Sequence, residues 1–244
     1  MAVMSDFDAA FLDDDHRFHV GYLTEERADL EAAEALGLLE LVGPSTIIDA
    51  GCGDGRLAVR LASLGHRVVA IDIDPDQVER AQAAAERRGV ELDLRSADLC
   101  HEVVRPPADG ALMWFTTYGF LSDADNLRVL CNLREGLRSG ARLVIDTLDP
   151  AAVSAELAHD PHPFTIEVDG FVQEDRRTFV AADRRLVVER TVRGPGVETH
   201  RCLRLWLPAR DGWPEVLASA GFALDELIEP DDDAWAMRVV ARAV

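Results

Sequence analysis

The stretch STIIDAGCGDG, residues 45–55, sets an acid, Asp49, where a short apolar run gives way to three glycines, Gly51, Gly53 and Gly55. TIIDA (46–50) reads as a buried strand and GRLAVRLASLG (55–65) as a helix closed by Gly65. Glycines in a strand-to-helix turn let the backbone come close to a ligand. Nicotinamide and flavin proteins use such a turn for a pyrophosphate seated at the helix N-terminus. A carboxylate aimed at that place repels a phosphate. It favours a ligand with a cationic amino group and no phosphate.

RVVAIDI (67–73) is the next strand, and Pro75 opens the helix PDQVERAQAAAERRG at the favoured first position. VELDLRSAD (90–98), DGALMWF (109–115) and ARLVIDTL (141–148) read as strands three to five. A helix over 124–140 precedes the fifth. Upstream, residues 25–41 read as an amphipathic helix with Leu30, Ala33 and Leu38 on its apolar stripe, stopped by Gly43-Pro44. Alternating strands and helices over 46–148 imply an α/β fold: a doubly wound, mostly parallel, Rossmann-like sheet. Ligands of such sheets bind at the carboxyl ends of the strands.

The pattern changes after about 158. Residues 159–207 alternate polar with apolar or β-branched residues, broken by turn signals at Asp169-Gly170, Ala182-Asp183 and Gly194-Pro195-Gly196. They read as an antiparallel β insertion after strand five, with Phe171, Val187, Leu203 and Leu205 on one apolar face. A last helix in DGWPEVLASAGF and strands in ALDELIEP and AWAMRVVARAV complete seven strands. The expected organisation is one doubly wound domain, 1–158 and 208–244, interrupted by the insertion at 159–207 as a substrate cap or a homodimer contact.

With 244 residues and 48% hydrophobic content, the chain buries a large core. Its net charge of -20 argues against a nucleic-acid partner, which calls for a basic surface. No long apolar run predicts a membrane span, and the N-terminal residues do not read as a secretory signal. The expected location is cytoplasmic. The four cysteines form no CxxC, so neither a zinc clip nor any other metal site is expected. Cys52, inside the glycine turn, reads as a small packing residue.

Two further acids end strands on the same sheet edge. Asp72, closing VVAID, stands where an acid accepts from the two hydroxyls of a ribose. Asp98, in SADL, can accept from the exocyclic amine of adenine. Ribose, adenine, an amino group and no phosphate describe S-adenosylmethionine (SAM). The run IIDAGCGDGRLAVRLASLGHRVVAIDIDPDQVERA resembles the first two motifs of class I SAM-dependent methyltransferases, and SADL resembles their adenine-contact motif. AGF before two closing strands is similar to their usual end. The resemblance implies that Asp49, Ala50, Gly51, Gly53 and Gly55 form the methionine-side turn. It implies that Asp72 holds the ribose, that Ile73 packs on the adenine, and that Ala97, Asp98 and Leu99 line the adenine edge. Phe115 joins the same cofactor set.

Strand four ends in MWFTTYGFLSD, without the Asn- or Asp-Pro-Pro signature of enzymes acting on DNA or glutamine, and the Pro-Cys of cytosine C5 enzymes is also absent. The segment from Phe115 to Phe120 resembles small-molecule N- and O-methyltransferases of the sarcosine and antibiotic-tailoring kind, and residues 7–22 resemble their N-terminal helical lid. The resemblance implies methyl transfer from SAM to an amine or hydroxyl of a small-molecule acceptor. An attacking amine must be neutral, and a hydroxyl usually also needs a base. Candidates to act there are Tyr118 after strand four and His19, with His16, in the lid. Tyr22, Tyr118 and Trp206 are candidate acceptor contacts. The same acids would also serve a non-catalytic protein that binds SAM or its demethylated product and acts through partners.

Overall fold

The computed structural model describes residues 17–19, 21–229 and 235–244. Most of the expected N-terminal lid, His16 included, lies outside the described residues.

Seven strands form one sheet in the order β3-β2-β1-β4-β5-β11-β10, made of β1 (Thr46–Ala50), β2 (Arg67–Asp72), β3 (Asp93–Ser96), β4 (Ala108–Met113), β5 (Leu137–Leu148), β10 (Phe222–Ile228) and β11 (Ala236–Ala243). Neighbours among β1 to β5 pair in parallel, and β11 pairs antiparallel with both β5 and β10. The chain winds outward from β1 to β3, then returns to β4 on the other side of β1. The carboxyl ends of β1 and β4 therefore flank the switch point, where doubly wound sheets bind ligands. β1 reads as a continuous apolar run because helices cover both of its faces. Ile48 joins one core with Trp213 and Phe222, and Ile47 joins another with Leu39 and Leu57.

Five helices pack on or beside this sheet: α1 (Glu25–Leu39), α2 (Arg56–Ser63), α3 (Pro75–Arg88), α4 (Asp123–Glu135) and α5 (Pro150–His159). A short α6 (Trp213–Ser219) follows the second sheet. Their starts follow from side-chain caps. Thr24, Asp74, Ser122 and Asp149 each accept from a backbone N–H in the first turn. The buried stripe of α1 is not the one expected. Leu30 and Ala33 are exposed, and Ala28, Ala32, Ala35 and Leu39 face the sheet together with Glu31. Alanines let the helix lie close to the strands, and Glu31 is partnered there by Arg27 and Arg56. α4 ends at Glu135, not near Gly140. Gly136 closes the helix, and Leu137 already pairs with Ala108 in the sheet.

A second, four-stranded antiparallel sheet follows α5, in the order β6 (Phe164–Val168), β7 (Phe171–Val180), β8 (Arg185–Gly194) and β9 (Val197–Trp206). Asp169 and Gly170 both take positive φ, which is the two-residue turn that joins twisted strands. The register pairs Leu186 with Phe179 and Leu205, and Val188 with Leu203, so these share one face. Val187 pairs with Thr178 and Arg204 and lies on the opposite face, contrary to the expectation. The inner face packs on Val153 of α5 and on Leu207. Sheet two is tied to the end of β4 by Trp206 N–H donating to Gly119 O at 2.8 Å, and to α4 by Arg185 and Asp123 at 2.5 Å.

Candidate functional site

Gly51 N–H and Cys52 N–H both donate to Ile71 O, which folds the turn after β1 back against the end of β2. Gly51, Gly53 and Gly55 all have positive φ. At Gly51 a Cβ would collide with Thr117, whose Oγ1 would lie 2.5 Å away. At Gly55 it would meet Ala81 Cβ at 2.8 Å. These two glycines are fixed by crowding as well as by dihedral angle. Cys52 is buried in the core beside the turn, and burial together with Asp49 pushes its thiol pKa far up. It is a packing residue, as expected.

Asp49 is only 2% exposed, and its Oδ2 has no hydrogen-bond partner. Burial pushes its pKa up to about 7, with Asp72 and Asp54 adding to the rise. The Arg56 guanidinium and the Ala58 backbone N–H act against it. A buried carboxylate with an idle oxygen is costly unless a donor reaches it. Asp72 is better supplied. Its Oδ2 accepts from Gly53 N–H at 2.8 Å and its Oδ1 from Asp74 N–H at 3.0 Å. Each oxygen keeps acceptor capacity for a further donor. Burial raises its pKa as well.

Asp98 stands at the next strand end. Its Oδ1 accepts from Cys100 N–H at 2.8 Å, and its Oδ2 lies 3.8 Å from His101 Nε2. Ala97 N–H donates to Asp72 O, and Leu99 O accepts from Asn132 Nδ2, so the segment 97–99 is held on both sides. The structure thus brings Asp49, Ala50, the glycines, Asp72, Ile73, Ala97, Asp98 and Leu99 to one end of the sheet.

The tip of β4 completes that end. Phe115 (φ 58°) and Thr116 (φ 63°) are consecutive left-handed non-glycine residues, an arrangement that costs roughly 1–2 kcal/mol per residue. Phe115 N–H donates to Asp146 Oδ2 at 2.7 Å and Thr116 N–H to Asp146 O at 3.2 Å. The Phe115 ring is partly exposed, with His19 edge-on at 5.5 Å and the Arg56 guanidinium 5.8 Å away. His19 therefore does reach the β4 tip.

The three expected acceptor contacts are engaged elsewhere. Tyr118 is 1% exposed and lies in the core against Trp213 (5.3 Å) and Trp206 (6.1 Å). Its hydroxyl has no partner, and burial pushes its pKa well above the ordinary tyrosine value. Trp206 packs on the same core. Tyr22 stacks under the Arg27 guanidinium at 3.9 Å on the side of α1.

Arg56, Thr117, Asp146 and Arg238 were not among the expected site residues. An acid at the end of β5 was readable for Asp146 by the logic applied to β1, β2 and β3. Nothing in the local sequence marks Thr117 or Arg238, which meet their partners only through tertiary packing, whereas Arg56 directly follows Gly55 and opens α2. Among the described residues no cluster of His, Cys, Asp or Glu could hold a metal ion, and no helix is long and apolar enough to cross a membrane.

Comparison with known proteins agrees with this geometry. Residues 47–140 match the family described as "Methyltransferase domain". A ribosomal protein L11 methyltransferase of Symbiobacterium thermophilum is 53% identical over 64 residues, which cover 25% of this chain and 21% of that protein. A ubiquinone biosynthesis O-methyltransferase of Methylobacterium sp. is 37% identical over 83 residues, covering 33% of each. The chain spans only a fifth to a third of the length of these relatives. Likeness of fold extends much further. A SAM-dependent methyltransferase from Clostridium acetobutylicum superposes with a TM-score of 0.73 at 12% identity over 90% of this chain and 92% of that one. The CcbJ methyltransferase of Streptomyces caelestis gives 0.72 at 20% identity over 87% and 89%. The sugar N-methyltransferase KedS8 of Streptoalloteichus gives 0.65 at 17% identity over 100% and 96%. The chain therefore has the Rossmann-like fold of these solved methyltransferases.

Proposed function

We propose that the protein transfers a methyl group from SAM to an amine or hydroxyl of a small molecule. The observation that carries this reading is Asp49, buried beside a glycine turn with one oxygen unpartnered. The α-ammonium of SAM supplies the missing donor, and no phosphate is present to be repelled. Asp72 would accept from the ribose hydroxyls and Asp98 Oδ2 from the adenine amine, while Ile73 and Leu99 pack on the base.

SAM supplies an already activated methyl group. The chain's own task is to orient the acceptor in line with it and to exclude water. Phe115 and His19 stand at the β4 tip, where the acceptor would enter, and His19 is the group we assign to orienting the nucleophile or taking its proton. Tyr118 is given a packing role instead, because a buried phenol of raised pKa is a poor base. A small acceptor is supported by the net charge of -20 and by the fold likeness to a sugar N-methyltransferase over the whole chain. Natural-product tailoring in the cytoplasm is the setting that fits this reading.

Titration calorimetry with SAM tests the cofactor. Transfer of labelled methyl from SAM to a panel of amino sugars, other small amines and phenols tests the activity. Tight SAM binding with no transfer to any acceptor would favour the non-catalytic alternative, and no SAM binding would overturn the reading altogether.

A further inference from the structure

We infer that the buried Asp146–Arg238 ion pair is a positioning device. It locks residues 115–117 against the glycine turn and so sets cofactor affinity without touching the cofactor. The inference rests on the SAM reading above.

Asp146 on β5 and Arg238 on β11 are direct partners in the ladder, and both are buried. Every polar direction of Asp146 towards the β4 tip is used. Its Oδ1 takes Arg238 Nη1, its Oδ2 takes Phe115 N–H, and its backbone O takes Thr116 N–H. One residue thereby satisfies the N–H groups of two successive left-handed residues. Such backbone persists only where its surroundings over-determine it. Arg238 extends the lock. Its guanidinium lies 4.6 Å from the Trp114 ring centroid, and its Nε is 3.2 Å from Glu34 Oε1 on α1. Thr117 Oγ1 then donates to Trp114 O at 3.2 Å, and the Thr117 side chain bears on Gly51.

The pair is a poor choice if stability is its only role. Replacing a buried ion pair by well-packed apolar residues is often neutral or stabilising. The neighbours Val144, Ile145, Val239 and Val240 show that apolar residues fit these strands. What the carboxylate adds is two oxygens in fixed directions, one anchored by the arginine and the other aimed at the β4 tip.

Two double variants separate positioning from bulk stability. Asp146→Leu with Arg238→Met removes both the charge pair and the acceptor for Phe115 N–H. Asp146→Asn with Arg238→Met removes the charges and keeps an acceptor oxygen. The readouts are the melting temperature, amide hydrogen exchange over 114–118 and the SAM dissociation constant by calorimetry. The leucine–methionine variant should melt close to the wild type, exchange the Phe115 amide at least about tenfold faster, and bind SAM about tenfold more weakly. The asparagine–methionine variant should stay within about threefold of wild type in SAM affinity. Unchanged exchange or unchanged SAM affinity in the leucine–methionine variant would overturn the positioning role. A tenfold loss in the asparagine–methionine variant would overturn it too, and that arm decides the matter if the first variant does not fold. A wild type that takes up no SAM would instead sink the cofactor reading, which the exchange measurement does not depend on.

Discussion

A carboxylate at a strand end can be a cap, a turn residue or a ligand, and its spare acceptors tell these apart. Asp49 has one idle oxygen in a buried place, whereas Asp72 already serves two backbone N–H groups. The consequence for Asp49 is a pH dependence with a definite sign. Its pKa rises from the ordinary 3.8 to about 7 in the fold, chiefly through burial. The contribution of Asp49 to stability is therefore fully present below the unfolded pKa and is lost as pH rises through about 7. Binding a cation runs the other way, since only the carboxylate attracts it. SAM affinity should fall by up to about tenfold for each pH unit below the Asp49 pKa, and Asp49→Asn should bind weakly with that dependence gone. Calorimetry across the pH range checks it; a flat wild-type profile would mean that the ammonium is held elsewhere. For Asp72→Ala the expected loss in SAM affinity is about 2–4 kcal/mol, from two charge-assisted bonds. A fall in melting temperature should accompany it, because the Gly53 and Asp74 N–H groups are orphaned as well. Retained affinity would remove Asp72 from the ribose. These acids were legible because each closes an apolar run, while Arg56 and Thr117 were not, since their roles arise only on folding.

Between elements, the same contrast holds. The parallel strands were readable because β1 and β2 are short apolar runs with an acid at or next to their ends, and one helix pattern separates them. The stripe of α1 was misread because alanines, not leucines, face the sheet, and a small buried side chain carries a weak periodic signal. α5 was missed although Asp149-Pro150 is an N-cap followed by the favoured first residue. The change to alternating residues a few positions later masked it. The meeting of the β1 turn with the β4 tip was invisible in sequence, and it makes a testable prediction. Gly51→Ala must accept φ +78° and a Cβ pressed into Thr117. It should cost about 2 kcal/mol or more, by strain and overpacking together. Thr117→Gly removes the obstacle and leaves the strain. Denaturant unfolding of both single variants and the double should give a favourable coupling of about 1–3 kcal/mol. Additive effects would show that the two segments do not bear on each other.

On the scale of the whole molecule, the question is what the second sheet adds to a fold already complete without it. Among the described residues the two sheets share no ladder, and Asp49, Asp72, Asp98 and the partners described for them all lie outside β6 to β9. Replacing 163–206 by a short Gly/Ser linker should therefore leave SAM affinity within about threefold of wild type, since rejoining the ends costs only a loop-closure entropy that grows slowly with length. The fold will be less stable. Leu186, Val188 and Leu205 leave Val153 and Leu207 uncovered, and Gly119 loses its bond to Trp206. Methyl transfer, measured on an acceptor found in the panel above, should drop by orders of magnitude if the sheet walls the acceptor site and keeps water out. Melting temperature, calorimetry and turnover on one preparation separate the outcomes. Full turnover would take the sheet out of the acceptor site and leave its free edge as a surface for a second copy. Loss of SAM binding in a folded truncation would place it in the cofactor pocket, against the positions of the three acids.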